Sequence, residues 1–368
     1  MKGMPVNLLS LLRPWSGSRP AAPRSHVGRM SAAAGALVAA GACVAGCGSS
    51  AGTPSGASPA AAAYPVTVTN CGTPVTYQKA PRRAVSNDIN TTEDMLALGL
   101  ESRMAGTFGV TGDGPAGQPV PDAYLPGFHR VRAVSPGYFT KEELVGLHPD
   151  FLFAGWNYGL EAGTLTPQTL APFGIKTLAL TESCAHVPPG TTAVSISDTY
   201  TDLRNLGEIF NVRARAAKVI GGMQAQVAAA RAKISGLKPV TVFDYDSGES
   251  APFTGPGLAM PTALISLGGG TNIFGGLKQS WTSVSWEQVV KADPQCIIIN
   301  DYGTPTAAQK EKFLETSAIT RNLTAVRNRC FLPLAYDEVT PGPRNAQAAV
   351  AIARWLHPAA FGLPADGS

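Results

Sequence analysis

The sequence predicts an α/β fold in which two α/β lobes are joined by one long helix. From Tyr64 onward, short β-like runs alternate with amphipathic helical stretches, the pattern of α/β layering. Residues 197–235 then contain no proline and run into the stop signals Gly236 and Pro239. One helical tract, longer than any other, therefore interrupts the alternation.

The elements follow in order. PVTVTN and TPVTYQ read as a hairpin turning at Cys71-Gly72, and RRAVSN as a strand. Thr91-Thr92-Glu93-Asp94 can cap a helix through Met95, Leu96 and Leu98 to Gly99. SRMAGTFG is the next strand, and residues 111–137, rich in Gly and Pro, form a long loop of the kind that is more often functional than accidental. KEELVGLHPD gives a short helix stopped by Pro149, DFLFAGW a continuous apolar strand and IKTLALT another. In the long tract, Asn211 can cap a segment whose Val212, Ala216, Val219, Ile220, Met223, Val227 and Ile234 recur at helical spacing. At about 1.5 Å per residue, positions 212–235 span roughly 36 Å, a domain's width. The alternation restarts with PVTVFDY, a helix near 261–267, the strand QCIIIND, a helix around 306–315, the strand CFLPLAY and a closing helix over 345–356.

Residues 1–46 hold Lys2, Arg13, Arg19, Arg24 and Arg29 and no acidic residue, followed from Ser31 by the apolar SAAAGALVAAGACVAG. That stretch is too short and too rich in Ala and Gly to span a bilayer permanently, and it reads as a signal-peptide core. It ends in Val44-Ala45-Gly46-Cys47, which resembles a lipobox and makes Cys47 the expected lipidation site. Residues 48–63 contain only Gly, Ser, Ala, Pro and Thr, a composition that behaves as a flexible tether. The expected division is a leader over 1–46, a lipid-anchored linker over 47–64, an N-terminal lobe over 65–211, an interlobe helix over 212–236, a C-terminal lobe over 237–363 and a disordered tail over 364–368.

The leader takes five of the 29 basic residues and none of the 25 acidic ones, so the remainder carries a net charge near −1. No run of Lys and Arg survives to suggest nucleic acid. Beyond Cys43 and Cys47 four cysteines remain, Cys71, Cys184, Cys296 and Cys330, an even number that suggests two disulfides in an exported chain. Of the three pairings, Cys71 with Cys184 and Cys296 with Cys330 keep each bridge inside one lobe. Reduced, buried thiols are the alternative.

Several tracts resemble the helical-backbone class of periplasmic binding proteins, which take up ferric siderophores, haem and vitamin B12. In the first lobe these are GLESRMAGT and EELVGLHPDFLFAGW; in the second, LISLGGGTNIFGGLKQSWTSVSWEQVVKADPQCIIIND matches over more than thirty positions. The resemblance implies an extracytoplasmic, monomeric, lipid-anchored protein that hands a ferric siderophore to an ABC permease and its ATPase, with iron present only inside that cargo. Cobalamin or another corrinoid, or haem, are the alternative ligands, and an envelope signalling or adhesion module is the alternative role. By the match, Glu142 and Glu287 are the carboxylates that dock on the permease, and Trp281 occupies a position where the vitamin B12-binding relative places a ligand-contacting Trp.

A shallow cleft beside a rigid helix needs preformed aromatic and cationic surfaces. Trp156, Asn157 and Tyr158 follow the strand DFLFAG, and Tyr245 and Tyr302 end VFDY and IIINDY; ligands of open α/β sheets sit beyond strand C-termini. Tyr336 leaves CFLPLAY, and Arg344 follows a stiff Pro-Gly-Pro turn that can aim it at an acidic group or at Asp337 and Glu338. Asn90 and Thr91, in the first strand–helix loop, are candidates on position alone. Catalysis is not expected: no G-x-S-x-G stands at a strand-to-helix elbow, Gly268-Gly269-Gly270 lacks the G-x-G-x-x-G spacing, and the five His sit in no triad setting. Nor do His and Cys show the spacing of a bare-metal site.

Overall fold

The computed structural model describes residues 64–110, 120–188, 190 and 193–364. The expected leader, Cys47, the tether to residue 63 and the tail from residue 365 lie outside the described residues, as do 111–119 of the Gly/Pro-rich segment.

The N-terminal lobe opens with the antiparallel hairpin β1 (Val66–Asn70) and β2 (Thr73–Tyr77). Then come β3 (Ala84–Asn87), α1 (Ile89–Ala97), β4 (Met104–Phe108), α2 (Leu125–Phe128), β5 (Ala133–Ser135), α3 (Lys141–Gly146), β6 (Phe151–Trp156), β7 (Gly159–Leu160), α4 (Pro167–Leu170), β8 (Lys176–Ala179) and α5 (Ile196–Ile209). The sheet runs β5-β4-β3-β6-β8, all parallel, with β7 beside the end of β6. Its central strands β3 and β6 are buried on both faces apart from the last residue of β6, which is why β6 reads as an unbroken apolar run.

Helix α6 (Arg213–Ile234) leads to the second lobe. Its 22 residues extend about 33 Å. Ala216, Ile220, Met223, Val227, Ala230 and Ile234 are its buried positions, three or four apart, forming one stripe. That stripe packs on α5 and on the closing helix of the chain, and most of it joins a core cluster drawn from both lobes, with Leu203 and Leu206 on one side and Leu264, Ala349 and Ile352 on the other.

The C-terminal lobe comprises β9 (Val240–Tyr245), β10 (Phe253–Thr254), α7 (Met260–Leu267), β11 (Gly270–Asn272), β12 (Thr282–Ser283), α8 (Trp286–Ala292), β13 (Cys296–Asp301), α9 (Ala307–Thr316), α10 (Thr324–Arg327), β14 (Phe331–Ala335), α11 (Tyr336–Val339) and α12 (Asn345–Leu356). Its parallel sheet is ordered β11-β9-β13-β14, and β10 pairs antiparallel with β12 as a separate short ribbon. The fold is thus α/β, with two lobes and one connecting helix, and both lobes belong to a single compact unit.

Three local expectations change. Helix α1 begins at Ile89, because the Asp88 side chain accepts from the Ile89 N–H and takes the capping role expected of Thr91 and Thr92. Asn211 does not cap α6: it adopts a left-handed φ of 58° in the turn after α5, and Val212 holds the N-cap position without a side-chain bond. The 111–137 segment contains α2 and β5 in its described part. The disulfides are Cys71–Cys184 and Cys296–Cys330, with Cα atoms 5.1 and 4.8 Å apart. Among the described residues no helix is long and apolar enough to cross a membrane.

Candidate functional site

The parallel strands of both lobes end at a common cleft, as expected where ligands sit beyond the carboxyl ends of an open sheet. A cavity of about 260 Å³ opens there. The first lobe contributes Asn157 and Tyr158, from the turn after β6, and His186, at the end of a 3-10 turn over Glu182–His186. The second contributes Asp246 after β9, Phe253 in β10, Trp281 before β12, Tyr302 after β13, and Tyr336 and Thr340 at the two ends of α11.

Four of the aromatic groups are held in pairs. Trp281 stacks on Phe253 at 6.0 Å between centroids, and Tyr302 meets Tyr336 edge-on at 5.4 Å. Two carboxylates fix the phenols of Tyr302 and Tyr336. Tyr302 donates to Asp246 Oδ1 at 2.6 Å, and the Ser247 hydroxyl donates to the same oxygen at 2.8 Å. Tyr336 donates to Asp88 Oδ2 at 2.7 Å, an oxygen that also receives Tyr138 at 2.6 Å. Asp88 belongs to the first lobe, so its carboxylate ties the lobes together through Tyr336. Its backbone, at φ 83° and ψ 159°, lies in a region favoured almost only by glycine, and such conformations persist where surrounding bonds over-determine them. Burial raises the Asp88 carboxyl above its usual value, opposed by the Tyr138 and Tyr336 bonds. Burial also raises the phenols of Tyr158, Tyr302 and Tyr336, so they stay protonated. His186 is shifted down by partial burial, which favours its neutral form.

Further bonds cross between the lobes. Asn90 Nδ2 donates to Pro341 O at 2.7 Å, and Thr199 Oγ1 bonds Asn345 Oδ1 at 2.9 Å. Glu182 Oε1 accepts from the Met260 N–H at 3.2 Å, at the start of α7. Burial raises Glu182 to about 8. Asp202, which accepts from the Thr181 N–H and hydroxyl, is raised to about 8, and Asp244 within β9 to about 7, both by burial.

Of the ligand candidates, Tyr158, Trp281, Tyr302 and Tyr336 line the cavity and the others do not. Tyr245 is buried in the second-lobe core, stacked on Phe243 at 6.0 Å and packed on Trp286 at 5.4 Å. Strand alternation decides this, since Tyr245 shares a sheet face with Phe243 two residues earlier and leaves the cleft to Asp246. Trp156 packs against the first-lobe core. Asn90 is consumed by the interlobe bond, and the buried Thr91 donates to Asn87 O and Asp88 O within the helix start. Arg344 pairs with Asp337 at 2.6 Å and Glu338 at 2.9 Å and borders a different groove, beside Tyr124 and Gln226. Glu142 and Glu287 are exposed, each in the first turn of a helix closed by a capping box. Asp88, Asp246, Phe253 and His186 were missed. Among the described residues no cluster of His, Cys, Asp and Glu is arranged to hold a metal ion.

The profile of a family described as periplasmic binding protein matches residues 85–333. The fold is similar to a periplasmic binding protein from Veillonella parvula, at 26% identity and TM-score 0.69, over 80% of this chain and 97% of that one. It is also similar to an ABC-type Fe3+-hydroxamate transport system structure from Saccharomonospora viridis, at 21% identity and TM-score 0.68, over 80% and 99% of the chains. The vitamin B12-binding protein BtuF of Vibrio cholerae is similar at 21% identity and TM-score 0.57, over 76% and 98%. No curated protein sequence matches the chain.

Proposed function

The chain belongs to the periplasmic binding protein family, and on that premise we propose that it captures a ferric siderophore in the interlobe cleft and delivers it to an ABC permease. The observation that carries this reading is the cavity beyond the strand ends, walled by Tyr158, Phe253, Trp281, Tyr302 and Tyr336. Rings of this kind supply large contact area to a bulky, partly apolar ligand at low entropic cost. At about 260 Å³ the cavity is smaller than a typical pocket for a drug-sized ligand. It therefore takes one end of such a ligand, the rest lying at the mouth of the cleft.

The setting follows from the same reading. The protein acts outside the cytoplasmic membrane, held there by a lipid on Cys47, and binds its cargo without chemical turnover. Glu142 and Glu287 meet the permease, their charges registering the complex rather than supplying most of its affinity. The test is a tryptophan-fluorescence titration against ferric hydroxamates, ferric catecholates, cobalamin and haem, exploiting Trp281 in the cavity wall. Saturable submicromolar quenching by a ferric siderophore is expected. Quenching by cobalamin or haem alone would reassign the cargo, and no response from any would remove the transport reading.

A further inference from the structure

We infer that the end of the ligand buried in this cleft carries a positive charge, a primary or quaternary ammonium group, held by Asp246 inside a box of Tyr158, Phe253, Trp281, Tyr302 and Tyr336. This rests on the cleft being the ligand site, and it narrows the cargo to a class the family resemblance does not specify.

Aromatic rings present a negative face, and several rings around one carboxylate form the standard environment for an organic cation. Here five rings and one buried carboxylate wall a single cavity. The hydroxyls strengthen the preference. A phenol has one proton, and Tyr302 and Tyr336 have committed theirs to Asp246 and Asp88. Toward any further partner those two oxygens can only accept, so they suit a ligand that brings N–H donors or a bare positive charge. Among the described residues lining the cavity there is no Lys or Arg. The cation expected here from the sequence, Arg344, is bound to Asp337 and Glu338. The nearest buried cation, Lys310, sits behind Tyr302 with its Nζ 4.7 Å from the ring centre and bonded to Asn300 O at 2.5 Å. It offsets part of the Asp246 charge from outside the wall. An anionic group placed in the same space would meet Asp246 and two acceptor-only phenols.

The test compares two ferric complexes by titration calorimetry on the intact protein: a linear trihydroxamate with a free terminal amine, and the same molecule N-acetylated. Butyltrimethylammonium is titrated in parallel. The free-amine complex is expected to bind at least tenfold tighter than the acetylated one, with the preference lost in Asp246→Asn. If that variant does not hold its fold in a thermal melt, Phe253→Leu, which removes one ring and no charge, is expected to shrink the same preference. Equal affinity for the two complexes, or a preference that survives both substitutions, overturns the inference while leaving the siderophore reading in place. Binding of butyltrimethylammonium but of neither ferric complex, abolished in Asp246→Asn, supports the cation site and excludes this trihydroxamate as the cargo. If none of the three probes binds, the inference falls, and the siderophore reading is decided by the wider fluorescence titration.

Discussion

Tyr336 of the second lobe donates its phenolic proton to Asp88 of the first, across 2.7 Å, on a carboxylate that Tyr138 also reaches at 2.6 Å. The bond couples the two sides of the cleft through a side chain that also lines the cavity, so ligand contact and lobe closure act on the same residue. Tyr336→Phe keeps the ring against Tyr302 and removes only this bond. A hydrogen bond to a charged group contributes about 1.5–3 kcal/mol, so the variant is expected to melt several degrees lower and to bind its ligand more weakly. Calorimetric melting of the free protein and titration of ligand measure the two effects separately. A variant that binds less tightly without any loss of stability would contradict the coupling.

A second prediction concerns pH. Glu182 and Asp202 are raised to about 8 and Asp244 to about 7, in each case chiefly by burial, whereas carboxyls in the unfolded chain titrate near 4. Between those values the folded protein holds protons that the unfolded chain has released. Stability from these groups is therefore complete below about pH 4 and falls as pH rises through 7 to 8. The melting temperature is expected to be higher at pH 5 than at pH 8.5. Asp202→Asn, which imitates the protonated acid toward the Thr181 N–H, should flatten that slope. A melting temperature that rises across the same interval would show that these acids are ionised in the fold.

How legible the fold and the site are in the sequence depends on range. Parallel strands such as β6 and β13 announce themselves because burial on both faces demands unbroken apolar runs, and α6 because its buried positions repeat every three or four residues. Tyr158, Trp281, Tyr302 and Tyr336 could be placed because they lie at or just beyond strand ends or in a recognisable tract. Tyr245 failed by one position of strand parity, and the pairing of Phe243 with Tyr245 was the available signal. Asp88 and Asp246 could not be read, because an acidic residue after a strand acquires its role only when phenols from sequence-distant elements reach it. Tyr336 is 248 residues from Asp88.

The disulfides make a third prediction. Cys71–Cys184 anchors the β1–β2 turn to the 3-10 turn that carries Glu182 and His186, whereas Cys296–Cys330 joins the β13–β14 edge away from the cavity. Loss of a native disulfide costs about 2–5 kcal/mol, so replacing either pair by serine should lower the melting temperature. Only the Cys71/Cys184 replacement is expected to weaken ligand binding as well, because only that bridge fixes residues on the cleft. Equal losses of affinity from both would separate the bridge from the site.

Arg344 supplies a fourth. Its guanidinium is shared between Asp337, almost fully buried, and Glu338. Removing one partner of a buried ion pair costs about 3–5 kcal/mol because the remaining charge is stranded. Arg344→Ala should therefore destabilise the fold strongly, and ligand affinity measured well below its melting temperature should change little. A loss of affinity with stability intact would return Arg344 to the site.

The last prediction separates capture from delivery. Glu142 and Glu287 occupy the same local position in the two lobes, the first turn of a helix whose preceding Thr140 or Ser285 closes a capping box with Glu143 or Gln288. The boxes already satisfy the helix starts, and both carboxylates stand exposed, so neither is needed for the fold. Charge reversal at both positions, Glu142→Lys with Glu287→Lys, is expected to leave melting temperature and ligand affinity near their original values. If the two residues register the permease, uptake of the ferric siderophore by cells carrying the cognate transporter should fall by more than tenfold, since like charges opposed across an interface cost several kcal/mol. Uptake at the original rate would assign both residues to ordinary solvated helix starts.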